Sequence, residues 1–225
     1  MEMEIIVPSE LAVMTLPHVA FFPQALLPLH IFEPRYRLML KEALATHRLF
    51  AVAGLNPKSA STAFEPAHRV ATVGIIRACQ KNENGTSNLL LQGLARVAVQ
   101  EILCEEPFRK IKIQALTSHT GASVEENLRL RTSLARLLSL KQRLSGDTPG
   151  DFAQFLKTIE DPETYVDIAA FNLCDDPVFK QKLLETLDVH QRLRLYARKV
   201  RTEIDEIKLR KRLQGGLTED GISNN

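Results

Sequence analysis

The chain has 225 residues, 44% hydrophobic and 25% charged, with a formal net charge of +2. That is the composition of an ordinary soluble globular protein with material for one large core or two small ones. The near-neutral field points to neither nucleic acid nor an acidic substrate, and ten Phe, three Tyr and no Trp leave little with which to stack bases or sugars.

The chain opens MEMEIIVPSE, acidic and soon broken by Pro8. A secretory signal needs a basic start and a longer apolar run, and no stretch approaches the ~18 to 20 apolar residues that span a bilayer. Cys79, Cys104 and Cys174 form an odd set without a CxxC spacing. They read as reduced, packed thiols in a cytoplasmic protein, without metal or disulfide.

Glu10 to Leu16 and Ala25 to Phe32 are apolar runs that read as strands. Five prolines in the first 34 residues make these strands short, bent or at an edge. The second run leads into PLHIFEPRYRLML, residues 28 to 40. Its His30 and Glu33 have the look of a metal or acid–base pair. However, Pro34 fixes a helix start, so His30 is still in the strand and the two side chains point apart. The stretch is a structural corner, with Glu33 near the helix's positive end. The helix predicted over Pro34 to Thr46 buries Leu38 or Met39, Ala43 and Leu44, and leaves Arg35, Arg37, Lys41 and Glu42 in water.

Arg48 to Gly54 follows as a buried strand. Gly54 to Ser59 ends in the Lys-Ser pair of a phosphate loop, but Val52 and Pro57 occupy the positions where that motif needs glycine. A flexible loop is the simpler reading of this Ser-, Ala- and Pro-rich stretch. Arg69 to Gln80 predicts a strand, Asn82 to Ser87 a hairpin turn in which Gly85 takes a positive φ. Leu89 to Gln92, Arg96 to Leu103 and the alternating Lys110 to Ala115 complete a set of strands suited to a small, partly closed barrel.

Ser118 to Ser123 reads as a linker, after which the hydrophobic period becomes helical. Val124 to Leu144 carries a broad leucine face. Asp161-Pro162 and Asp176-Pro177 each offer a capping carboxylate followed by proline at the first helical position, and Asp188 caps a last helix. That helix has an apolar seam, Val189, Leu193, Tyr196, Val200, Ile204 and Ile207, that needs a partner face. Gly215-Gly216 end it.

Between His190 and Leu213, nine Lys or Arg face three acids, a local excess of six positive charges. A solvated face over an apolar seam is the favoured reading. Arg198, Lys199 and Arg201 are the contacts that an acidic partner or nucleic acid would use. Interleaved aromatics are nearly absent, which weighs against nucleic acid.

LPHVAFFPQALLPLHIFEPRYRLMLKEAL (16 to 44) resembles the opening of the Lon protease N-terminal, substrate-binding domain. VATVGIIRACQKNENGTSNLLLQGLARVAVQEI (70 to 102) is similar to that family's later hairpin, including the step from Gly93 to Arg96. The resemblance extends over about residues 9 to 213. It implies a PUA-like β pseudo-barrel followed by helices, an α+β fold. Together with the change of hydrophobic period, this predicts a barrel over residues 1–118 with one helix after the second strand, an antiparallel helical bundle over 119–213, and a flexible tail over 214–225. The resemblance also implies recognition of unfolded or damaged proteins. Lon chains continue into ATPase and Ser–Lys protease modules. Neither a phosphate loop nor a protease nucleophile motif occurs in this sequence, so no catalytic residue, cofactor or metal ligand carries over.

The expected function is therefore a non-catalytic module that binds unfolded or partly folded protein segments, with nucleic-acid binding by the basic last helix as the alternative and no membrane partner. The crowded N-terminal corner offers Phe22, Phe32 and Tyr36 as peptide contacts beside a groove between barrel and helices.

Overall fold

The computed structural model describes residues 6–56, 66–146 and 150–215, without the side chains of 214 and 215. The Lys58-Ser59 loop and the tail beyond residue 215 lie outside the described residues.

Six strands form one mixed sheet: β1 (Glu10–Leu16), β2 (Leu26–Ile31), β3 (Leu49–Gly54), β4 (Val70–Lys81), β5 (Ser87–Cys104) and β6 (Lys110–Ala115). Their order is β2-β5-β4-β3-β1-β6, and β6 also pairs with β5, which closes β5-β4-β3-β1-β6 into a ring. Leu11, Val13, Leu49, Ala51, Val73, Val97 and Ile111 fill it. Their alternation along each strand is the pleat delivering every second side chain inward.

The two strands expected over 89–92 and 96–103 are a single long β5. Gly74 faces Gly93 and Val73 faces Ala95, so Leu94 is the extra residue of a bulge that bends the strand without breaking its ladder. This bend lets the first half of β5 pair with β2 and the second half with β6.

Helix α1 (Pro34–Ala45) follows β2. Its proline at the first helical position sets φ, as expected. The Glu33 carboxylate does not cap the helix; it accepts from Arg35 Nε at 2.9 Å instead.

Five further helices follow: α2 (Val124–Ser145), α3 (Asp151–Thr158), α4 (Pro162–Leu173), α5 (Pro177–Glu185) and α6 (Val189–Gly215). The capping carboxylates act as expected. Asp161 accepts from Thr164 N at 2.7 Å, Asp176 from Phe179 N at 3.0 Å and Asp188 from Gln191 N at 2.8 Å. Ser123 and Glu126 add a reciprocal capping box at α2.

The chain divides into two compact units. One holds residues 1–119 and 167–187, the other 120–166 and 188–225. The sequence reading assigned 119–213 to the helical bundle; the structure groups 167–187 with the strands. Specific side chains hold that segment there. Buried Arg96 of β5 donates to Asp167 Oδ1 at 2.7 Å and to Leu184 O at 3.1 Å, and Gln181 Nε2 donates to Val70 O at 3.1 Å. Phe21 meets Phe171 edge to face at 6.1 Å.

In the helical unit, the α6 seam from Val189 to Ile204 is buried, and α2 packs against α6 with Leu134 and Leu138 buried. The direction differs from the antiparallel bundle expected. His190 Nδ1 lies 3.0 Å from Asn127 Oδ1, and Lys141 Nζ lies 2.9 Å from Glu203, so positions advance together along both helices. α2 and α6 therefore run parallel. Short connections force neighbouring helices antiparallel, but the chain between these two includes three more helices and can return to the same end. The first of those, α3, has no counterpart in the sequence reading.

Candidate functional site

The sheet-built unit places apolar side chains in water at two features, among others. The first is β2, a strand with one neighbour, β5. Leu27 and Ile31 point inward and are buried, which leaves the alternate residues Leu26, Pro28 and His30 exposed, with Phe32 just beyond the strand end. The Phe32 ring stacks on the His30 ring at 6.0 Å, and His30 Nδ1 lies 2.6 Å from Asn88 Oδ1, so the row is held on one face. Pro28 removes one donor from this edge.

The second feature is made by α1. Tyr36, Met39, Leu40 and Ala43, spaced by 3, 1 and 3, bury one stripe of the helix against the sheet. Leu38 and Leu44 stay outside that stripe and are exposed. Leu44 was expected in the core and is not; Leu40 takes that role. Between this outer face and the β4–β5 hairpin runs an open groove of about 510 Å³. Leu38, Leu44 and the Cys79 side chain give it an apolar floor, and Arg37, Lys41 and Lys81 stand around it. The Arg37 guanidinium lies over the hairpin turn, where a Cβ on Gly85 (φ +78°) would collide with its Nη2. The volume is within the range of roughly 300 to 1,000 Å³ typical of ligand sites.

Among the predicted contacts, Phe32 is 60% exposed and belongs to the row along β2. Phe22 and Tyr36 do not. Phe22 is fully buried beneath Arg96, whose guanidinium lies 5.7 Å from its ring centroid. Tyr36 is 7% exposed because it sits on the buried stripe of α1, its hydroxyl 3.4 Å from Thr15 O. Both rings serve the core. The residues missed by sequence reasoning are Leu38, Leu44, Arg37, Lys41 and Lys81. A signal existed: α1 carries Leu38, Met39, Leu40, Ala43 and Leu44, more apolar residues than one stripe can bury.

In the helical unit, Arg198 and Arg201 are exposed on α6, and Lys199 is half-buried with Nζ 3.8 Å from Glu203. Arg192, counted with the basic face, is fully buried and its guanidinium lies 3.2 Å from Glu163. The positive face is thus smaller than the sequence suggested.

No group of three or more His, Cys, Asp or Glu among the described residues could hold a metal. Lys180 is held below its ordinary value by burial, partly offset by Cys174 and Asp175. Its ammonium donates to Phe171 O at 2.7 Å, a structural bond. No described helix is long and apolar enough to cross a membrane.

The closed strand ring and the helices that follow it define an α+β fold. The family model for the ATP-dependent protease La (LON) substrate-binding domain matches residues 10–198, and the chain belongs to that family. It is 31% identical over 218 residues to a Lon protease of Syntrophus aciditrophicus, covering 95% of this chain and 28% of that protein. A Lon protease of Dictyoglomus thermophilum is 26% identical over 92% of this chain and 26% of its own length. The chain thus spans about a quarter of these relatives, their N-terminal substrate-binding portion. Among solved structures, the N-terminal domain of Mycobacterium avium complex Lon protease aligns with TM-score 0.67 and 16% identity, over 85% of this chain and 97% of that one. The Lon N-terminal domain protein from Xanthomonas campestris aligns with TM-score 0.61 and 20% identity, over 83% and 96%. These likenesses support the fold.

Proposed function

We propose that the chain is a non-catalytic module that binds unfolded or partly folded polypeptide segments through the apolar surface of its sheet-built unit. The observation that carries this reading is the open groove beside α1, lined by the exposed Leu38 and Leu44, with Leu26 and Phe32 also exposed along and just beyond β2. A concave site lined by apolar side chains with a few charged groups is the usual form of a binding site. Covering one such side chain fully is worth about 1.5–3 kcal/mol, so two or three in a groove suffice for a modest, reversible grip. The family's description as a substrate-binding domain supports a polypeptide as ligand. Three free thiols fit work in a reducing compartment such as the cytoplasm.

The competing reading, nucleic acid on α6, has Arg198 and Arg201 in its favour and the burial of Arg192 against it. The two modes differ in salt response. Counterion release lowers log K steeply with log salt, by roughly 0.9 per duplex phosphate contacted. Apolar burial is far less sensitive.

Fluorescence anisotropy with a reduced, alkylated model polypeptide, RNA and duplex DNA tests the choice. The polypeptide binds more tightly near physiological salt, with weak salt dependence, and Phe32→Asp or Leu38→Asp weakens it about ten-fold, as loss of one buried apolar contact implies. Submicromolar, steeply salt-dependent nucleic-acid binding, lost in the Arg198→Glu/Lys199→Glu/Arg201→Glu chain, overturns the proposal.

A further inference from the structure

We infer that the α1 groove selects polypeptide segments carrying carboxylates beside their apolar residues: Arg37, Lys41 and Lys81 answer the carboxylates, and Leu38 and Leu44 the apolar side chains. This rests on the peptide-binding reading above and names the class of segment bound.

The charge balance around the groove carries the inference. The two acids at α1 are committed elsewhere: Glu33 lies 2.9 Å from Arg35 Nε, and Glu42 lies 2.6 Å from Lys110 Nζ. Among the described residues no Asp or Glu lines the groove, and Arg37, Lys41 and Lys81 have no acidic partner. All three are exposed. Three like charges around an apolar floor raise a local positive field that an anionic occupant relieves and a basic one worsens. The apolar floor supplies affinity, and the charges supply choice and faster encounter. An acidic and apolar segment satisfies both, whereas an apolar segment flanked by lysines satisfies only the floor.

Three peptides sharing one set of apolar residues, with the remaining positions all Glu, all Gln or all Lys, test this on the full chain. At low salt the Glu peptide binds about ten-fold more tightly than the Gln peptide and the Lys peptide more weakly still, as two or three partly exposed ion pairs allow. The preference shrinks as salt rises. Cys79 lines the groove and Cys104 does not, so the bound Glu peptide slows alkylation of Cys79 and leaves Cys104 unchanged. The Lys41→Glu/Lys81→Glu chain, both sites being exposed, keeps its circular dichroism and reverses the order of the peptides.

Equal affinities, a preference that survives the charge reversal, or an unprotected Cys79 overturns the inference. In those cases the binding reading itself still stands if Leu38→Asp or Phe32→Asp weakens all three peptides. Failure of every peptide to bind removes that reading, and the inference with it. A concentration-dependent dimer, abolished by Lys41→Glu/Lys81→Glu, assigns the groove to a second copy and also overturns the inference.

Discussion

Each of the two compact units buries an arginine completely, and each gives it a carboxylate in a different setting. In the sheet-built unit, Arg96 and Asp167 are both out of water, with side chains 2% and 1% exposed and 2.7 Å between them. In the helical unit, Arg192 is fully buried, but Glu163, 3.2 Å away, is 37% exposed. Two charges removed from water are costly and must be repaid by geometry and further bonds; Arg96 obtains one from Leu184 O. A carboxylate that water still reaches can lose its partner and be rehydrated. The sheet-built unit therefore depends on its pair to hold residues 167–187 in place, and the helical unit depends on its pair less.

Breaking each pair gives the largest expected effect. Arg96→Met removes the charge that lies 2.7 Å from the buried Asp167 carboxylate and costs about 3–5 kcal/mol, measured as a shift in the urea unfolding midpoint. Replacing both members, Arg96→Met with Asp167→Leu, recovers part of that loss, because neither charge of the pair then remains buried. Arg192→Met costs less, about 1–3 kcal/mol, since Glu163 returns to solvent. Equal costs for the two arginines would show that hydration of the partner is not what separates the units.

Two glycines sharpen the same comparison at a smaller scale. In the sheet-built unit, a Cβ on Gly93 would collide with Phe22 O and sit 3.1 Å from Pro23 Cα, backbone atoms that cannot rotate away. Gly93→Ala costs about 1–3 kcal/mol, as overpacking does. In the helical unit, Gly146 ends α2 with φ +84°, and a Cβ added there would meet nothing within 4 Å. Here only the left-handed backbone is penalised, by about 1 kcal/mol for Gly146→Ala. Thermal unfolding of the two variants should show the larger loss for Gly93.

Local chemistry made much of this legible in the sequence. β1 falls on the apolar run from Glu10 to Leu16 and β6 on the alternating Lys110 to Ala115, and the three Asp caps follow from Asp preceding the helix starts. Long-range placement was harder. Nothing in the hydrophobic period of 162–185 says that Asp167 faces Arg96, although each is a single charge in an apolar run, YVDIAA and LARVAV. α3 was missed because one eight-residue helix between polar stretches has too short a period to stand out. At the site, counting aromatics favoured Phe22 and Tyr36, yet bulky rings are what a core claims first. The number of apolar residues in α1 signals that some stay exposed, but which ones is not legible, since one stripe of a helix looks like another until its partner is known.

The smallest expected effect is in pH dependence, and it separates the units by sign and by range. In the sheet-built unit, burial holds the His68 imidazole below its ordinary value of 6.5, with Glu185 at 3.7 Å partly offsetting this. Burial likewise lowers His47, against a smaller opposing pull from Glu42. As pH falls through 6.5 the unfolded chain takes up these protons before the folded one does. Stability therefore declines from that point and levels off once the folded imidazoles are protonated. In the helical unit, hydrogen bonds from Ser123 hold the Glu126 carboxyl below its ordinary 4.5. Its contribution is fully present above 4.5 and is lost as pH falls through the lowered folded value. Urea midpoints between pH 7.5 and 5.5 should thus fall less in the His47→Gln/His68→Gln chain than in the parent. Ser123→Ala should leave that slope unchanged and flatten the decline below pH 4.5. A parent chain whose midpoint rises on going from pH 7.5 to 5.5, with the rise removed by the histidine substitutions, would reverse the sign assigned to the sheet-built unit.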